Sequence, residues 1–273
     1  MAKTGRKLII GCMDWRYNGI IDGLADGTSV VLRNGGANAE GLESSIRKAL
    51  ELYPDITEIH IMPHEDCAAM KFVRNVLDGN EEAGELLQPL VDEFAGCGTE
   101  DIFEYNRDYQ PEALIRIVEE AINGRKTGIG GRTYVVGSDG RRIEIKTDYI
   151  SLGEMPTAKG HEHNACIIVD PFFKKTEDMA KAIGVNAEGM YVAQVLDPDN
   201  VIADVDLILK RVHPEKITLL KTGAMKEEEY ERVLDLMRET FKELDVVDFG
   251  SASIKKGETE EKPKADRHVR KNK

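Results

Sequence analysis

Short apolar runs with little alternation, spaced by stretches of helical periodicity, set the framework of this chain. Leu8-Ile9-Ile10 is such a run and predicts a strand buried on both faces. Ser29–Leu32 and Ile56–Met62 predict a second and a third strand. Between them, Leu42, Ile46, Ala49 and Leu50 fall at i, i+4, i+7 and i+8, so a helix is expected over Glu40–Leu52, ended by Pro54. Strand, helix and strand in that order predict a parallel βαβ unit. Helices are also expected over Met70–Leu77, Glu81–Phe94 and Pro111–Asn123. Tyr134–Val136 and Ile143–Ile145 predict a hairpin about Asp139-Gly140. The Gly-rich stretch Thr127–Arg132 before it reads as a loop, with neither the lysine of a phosphate loop nor the spacing of a dinucleotide fingerprint.

From Ala165 the order starts again. Cys166–Val169 predicts a strand, Glu177–Ile183 a helix and Gly189–Val195 a strand. Val201–Val212 predicts a helix, with Val201, Val205, Ile208 and Val212 on one face. His213-Pro214-Glu-Lys-Ile217-Thr218 then echoes Tyr53-Pro54-Asp-Ile56-Thr57, before a strand through Leu219-Leu220 and a helix over Glu227–Leu244. The expected fold class is α/β, a parallel-sheet domain over 1–155 followed by a degenerate α/β repeat over 160–254. The stretch 255–273 is Lys/Glu-rich with almost no apolar residues and is expected to be disordered.

Composition narrows the function. The 273 residues carry a net charge of −13. The exception is Lys255–Lys273, where 8 Lys/Arg face 4 Asp/Glu. An acidic body argues against nucleic acid as partner. No apolar run approaches membrane-spanning length, and the first strand follows the N-terminus too closely for a signal peptide. The expectation is a cytoplasmic protein with no membrane partner. Its cysteines, Cys12, Cys67, Cys97 and Cys166, are then reduced and available as ligands or nucleophiles.

The first strand ends in Cys12-Met-Asp14-Trp-Arg16, where thiol, carboxylate and guanidinium fall at i, i+2 and i+4. A charged pair beside a thiol at a strand's carboxyl end suits a site. The same residues also suit a buried strand cysteine followed by a surface Asp–Arg pair. The second strand ends in Arg33-Asn34-Gly35-Gly36, which allows a tight turn. After the third strand, His64 and Cys67 stand at i and i+3, a workable spacing for two ligands of one zinc. Alone, His-x-x-Cys is a weak signal. Two successive strand ends that both deliver such donors make it stronger. A thiol nucleophile at Cys12 lacks a motif that supplies a base. His161 and His163 in Gly160–Cys166 fit a solvated loop, and Cys97 and Cys166 read as small hydrophobes.

Cys12-x-Asp14-x-Arg16, Arg33-Asn34-Gly-Gly and His64-x-x-Cys67, in that order on three consecutive strands, resemble the β-class carbonic anhydrases over roughly residues 7–75. The resemblance implies one zinc per chain, held by Cys12, His64 and Cys67, with Asp14 and Arg16 as a dyad beside an open fourth position. It implies zinc-dependent, reversible hydration of carbon dioxide to bicarbonate, with these small molecules as the partners. Two thiolates cancel the metal's formal charge and weaken its acidification of water, so a proton acceptor such as Asp14 helps. Arg16 would keep Asp14 ionised and turned from the metal. Arg33, Asn34, Gly35 and Gly36 are expected to shape the turn and an interface. Ala68 stands where the family usually has Gly.

Two alternatives remain: a related zinc hydrolase of carbonyl sulfide or carbon disulfide, and a non-catalytic zinc-binding relative. In the repeat, Asp170, Phe172 and Lys174 align with Cys12, Asp14 and Arg16, and Thr222–Glu228, opposite His64–Cys67, has no His or Cys. A metal-free second half is expected, making one chain a pseudo-dimer, or part of a homo-oligomer, with Phe172 or Phe173 as candidates for pocket wall.

Overall fold

The computed structural model describes residues 5–151, 163–170, 172, 174–212, 214, 216–221, 226–241 and 246–251. The chain opens with β1 (Arg6–Cys12), α1 (Asn18–Leu24), β2 (Val30–Asn34), α2 (Glu43–Leu52), β3 (Ile56–Met62) and α3 (Ala68–Leu77). There follow α4 (Gln88–Asp92), α5 (Ile102–Ala121), β4 (Gly124–Ile129), β5 (Arg132–Gly137) and β6 (Arg142–Thr147). The second half holds β7 (Asn164–Val169), α6 (Thr176–Ile183), β8 (Met190–Val195), α7 (Val201–Val212), β9 (Lys216–Lys221), α8 (Glu227–Thr240) and β10 (Val246–Ser251).

Among the described residues, ten strands join one sheet in the order β10-β9-β7-β8-β2-β1-β3-β6-β5-β4. It is a mixed sheet, mostly parallel. β1 runs parallel to both β2 and β3, and β7 parallel to both β8 and β9. The two halves meet where β2 and β8 lie antiparallel, at Arg33 opposite Gln194. Both faces are covered, as the unalternating strands require. On one face Leu8, Ile10, Val30 and Leu32 pack with residues of α2, α3, α5, α7 and α8 in a core that spans both halves. On the other, Ile9 and Val31 pack with Ile21 of α1, and Cys166 and Ile168 with Met179 and Ile183 of α6.

Three expectations are corrected. The glycines of Thr127–Arg132 do not make the whole stretch a loop: Gly124–Ile129 forms β4, and only Gly130-Gly131, both at positive φ, turn the chain into β5. The helix placed over Glu81–Phe94 shrinks to α4, five residues. α5 starts at Ile102, so Pro111 lies inside it and not at its start. Packing among Phe94, Tyr105 and Tyr109 anchors the first turns of α5 and overrides the proline signal. The stretch 255–273 and His161 lie outside the described residues. Among the described residues, no helix is long and apolar enough to cross a membrane.

One half-buried acid, Glu93 at the end of α4, ties that helix to the loop after β2. Asn38 Nδ2 donates to Glu93 Oε1 at 3.1 Å, while Oε2 is buried with no hydrogen-bond partner. Burial first, then the nearby Glu40 charge, push the Glu93 carboxyl up to about 7, against the lowering effect of the Asn38 bond. The folded chain therefore holds a proton that the unfolded chain releases above the ordinary carboxylate range. This contribution to stability is complete at low pH and is lost as pH rises toward 7. Urea unfolding at pH 5 and pH 7.5 should show that loss, and Glu93→Gln should remove this part of the slope.

Candidate metal centre

Parallel neighbours bring their carboxyl ends to one edge of a sheet, and here β1, β2 and β3 deliver the predicted residues together. Cys12 is the last residue of β1, and His64 stands two residues beyond β3. Cys67 is the N-cap of α3. Their donor atoms all lie within 4.8 Å of one another, and all three residues are buried; among the described residues this is the one such group of three or more. Cys12 Sγ and Cys67 Sγ are 3.9 Å apart. Two sulfurs each about 2.3 Å from a tetrahedral zinc would be about 3.8 Å apart, so the spacing fits the ion.

The histidine is set for the same role. His64 Nδ1–H donates to the Glu65 carbonyl at 2.6 Å, which leaves the buried Nε2 with no hydrogen-bond partner and its lone pair unused. The Tyr17 ring packs 4.4 Å from the imidazole and limits its rotation.

Electrostatics divide the two thiols. Burial alone would raise Cys12, but the Cys67 hydrogen bond and the His64 ring beside it prevail and hold it well below the ordinary thiol range. Cys67, which gives that hydrogen bond and is buried, is pushed well above the range. Burial works against a charged His64, and the facing Cys12 outweighs it and raises the ring. A zinc ion here would take both sulfurs as thiolates and the imidazole neutral, so its binding would release protons.

Asp14 and Arg16 form the expected pair. Arg16 Nε donates to Asp14 Oδ1 at 3.0 Å, and Nη2 donates to Oδ2 at 2.6 Å. Both carboxylate oxygens are held by the guanidinium, and Asp14 is not part of the ligand group. Arg16 has a second anchor: Nη1 donates to Asp66 Oδ2 at 3.0 Å, and Nη2 to the Asp66 carbonyl at 3.2 Å. Sequence reasoning missed Asp66. It stands inside His64-x-x-Cys67 at φ +55°, a conformation uncommon outside glycine, and also pairs with Lys71. Its one sequence signal was a carboxylate lying between two ligands.

Arg33 and Asn34 use their side chains on backbone. Arg33, 2% exposed, donates from Nε to the Cys12 carbonyl at 3.0 Å and from Nη2 to the Asp14 carbonyl at 3.2 Å. Asn34 and Asn38 close the turn through Asn38 N–H to Asn34 Oδ1 and Asn34 Nδ2 to the Asn38 carbonyl. Gly36 N–H then points at Cys12 Sγ, 3.4 Å away. From α5, Asn106 donates to the Gly36 carbonyl and Gln110 accepts from Ala39 N–H. Both are fully buried, and two amides at i and i+4 on the apolar face of a helix were a signal that sequence reasoning did not use.

Gly36 sits at φ +83°, where a Cβ would also stand 3.0 Å from Met70 Cε. Gly36→Ala should cost about 1–2 kcal/mol of stability from the backbone alone, read as a lower midpoint in denaturant unfolding.

The remaining candidates stay apart from this centre. His163 stands edge-on to Tyr191, with ring centroids 5.7 Å apart, and is not in the ligand group. Cys166 is buried, and burial pushes its thiol up to about 12. Cys97 is half-buried and donates to the Gly98 carbonyl. Phe172 is no wall of this pocket. It bridges to Val30 and packs on Tyr53 at the other end of β2, because β8 runs antiparallel to that strand.

No protein-family model and no curated protein matches the chain. Among solved structures it is similar to the apo form of a carbon disulfide hydrolase (selenomethionine form). The two are 16% identical with a TM-score of 0.27, over 54% of this chain and 74% of that one, a likeness too slight to bear on the site.

Proposed function

We propose that the chain is a zinc enzyme of carbonic-anhydrase type, a carbonate dehydratase that hydrates carbon dioxide reversibly to bicarbonate. The observation that carries this reading is the group Cys12, His64 and Cys67 with the Asp14–Arg16 pair beside it and outside it. Three protein donors are the number found at catalytic zinc sites, whereas a structural site is closed by a fourth. When bound, zinc supplies a Lewis acid that brings the pKa of a water toward neutrality.

The chain's own residues do the rest. Asp14, gripped through both oxygens by Arg16, offers carboxylate acceptors for a hydrogen bond from the attacking water and orients it. Asp66 braces Arg16 from the other side, so the guanidinium cannot drift and free Asp14 to reach the metal. Tyr17 covers one face of His64 and keeps water from that side.

The second half reads as a degenerate copy, which makes one chain a cytoplasmic pseudo-dimer with domains over 1–155 and 160–254. What supports this is the strand order: β8-β7-β9-β10 repeats β2-β1-β3-β6, and the equivalent strands β2 and β8 meet antiparallel. At the position of Cys12 stands Asp170, which pairs with Lys174 at 2.7 Å.

The test is stopped-flow carbon dioxide hydration by the zinc-loaded full chain, beside sulfide release from carbonyl sulfide and carbon disulfide. Hydration without sulfide release is expected. Sulfide release with negligible hydration would move the assignment to a heterocumulene hydrolase. Neither activity from a zinc-loaded chain would leave a binding protein.

A further inference from the structure

α7 belongs to the second half, yet it is seated on the turn that carries the metal centre of the first. Asp204, in the first turn of α7 and 6% exposed, accepts the Gly35 N–H through Oδ1 at 3.0 Å. Leu207, three residues on and so on the same helix face, lies over the same glycine: a Cβ on Gly35 would come 2.3 Å from Leu207 Cδ2. The next residue, Gly36, donates its N–H to Cys12 Sγ. The chain of contacts thus runs from Asp204 to Gly35, along one peptide to Gly36, and into a ligand sulfur. β8 holds the neighbouring strand end, with Val192 N–H donating at 3.0 Å to the carbonyl of Met13, the residue after Cys12.

We propose that Asp204 is a positioning residue of the metal centre supplied by the second half: its carboxyl fixes the Gly35 amide and thereby sets the hydrogen bond that Cys12 receives. The inference rests on the zinc reading given above. It assigns the metal-free half a task, completion of the first half's site, that a passive remnant would not have. Contacts behind the ligands orient them and tune their donor strength, and their loss typically weakens metal affinity about 10–100-fold. An asparagine in its place keeps the shape of the side chain and the oxygen that accepts from Gly35 N–H.

The experiment compares wild type, Asp204→Asn and Asp204→Leu as full chains. Zinc affinity is read by competition with a chelator, the thiolate-to-cobalt absorption band of the cobalt-substituted proteins gives a signature, and Tm monitors the fold. Asn keeps the acceptor; Leu keeps the volume and leaves Gly35 N–H without it. The expected result is affinity and band close to wild type in Asp204→Asn, with a 10–100-fold weaker affinity and a shifted band in Asp204→Leu. Wild-type affinity in folded Asp204→Leu overturns the proposal. So does a tenfold loss in Asp204→Asn at wild-type Tm, which keeps the test decisive if the Leu chain does not fold. A wild-type chain that takes up no zinc is a separate result and overturns the zinc reading together with this one.

Discussion

Cys67→Ser should lose zinc and activity together. A thiolate is an anionic donor that zinc prefers, while a serine hydroxyl stays protonated at neutral pH and binds weakly. Zinc held by cysteine and histidine in small sites is worth about 10–16 kcal/mol, so removing one of three protein donors should weaken affinity on the order of 10³-fold. The cost to the fold should be small by comparison, since serine is nearly isosteric and the β1–β2–β3 ladders do not depend on the side chain. Cys12→Ser should behave alike, with a further consequence: Gly36 N–H loses the sulfur to which it points. The readings are zinc per chain by elemental analysis and hydration rate on the same sample. Full zinc retention in both single variants would remove Cys12 and Cys67 from the ligand set.

Asp14→Asn should do the opposite, keeping the zinc and losing the turnover. The ligand group does not include Asp14, so affinity should stay close to wild type. An amide cannot take a proton from water, and its NH2 would face the Arg16 donors that now hold both carboxylate oxygens. General acid–base contributions are typically about 10²–10⁴-fold, and kcat should fall within that range. Arg16→Ala should also damage activity, by freeing Asp14 to turn toward the metal. Hydration by Asp14→Asn at the wild-type rate across pH would contradict the role given to this carboxylate.

Much of the site was legible because its signals are local. Cys12, Asp14 and Arg16 fall within five residues, and His64 and Cys67 within four, each at the end of an apolar run that reads as a strand. Parallel pairing of those strands then brings the ends together. The contact that holds the turn after β2 from the other half was not legible, because it is assembled over a long separation. Asp204 meets Gly35 across more of the chain than either half contains, and nothing near Asp204 marks it as more than a polar residue in a helix. Pattern also failed where composition misled: glycines hid β4, and Pro111 drew the start of α5 nine residues too late. The placement of Phe172 was missed for a different reason. Matching strand ends by sequence does not show that the two halves run antiparallel, which carries the end of β7 away from Cys12.

Zinc K-edge X-ray absorption on the zinc-loaded full chain counts the donors around the ion. Two sulfurs at about 2.3 Å and two lighter atoms at about 2.0–2.1 Å, one from His64 and one from solvent, are expected. A shell with three or four sulfurs, or with none, would contradict the ligand set of Cys12, His64 and Cys67.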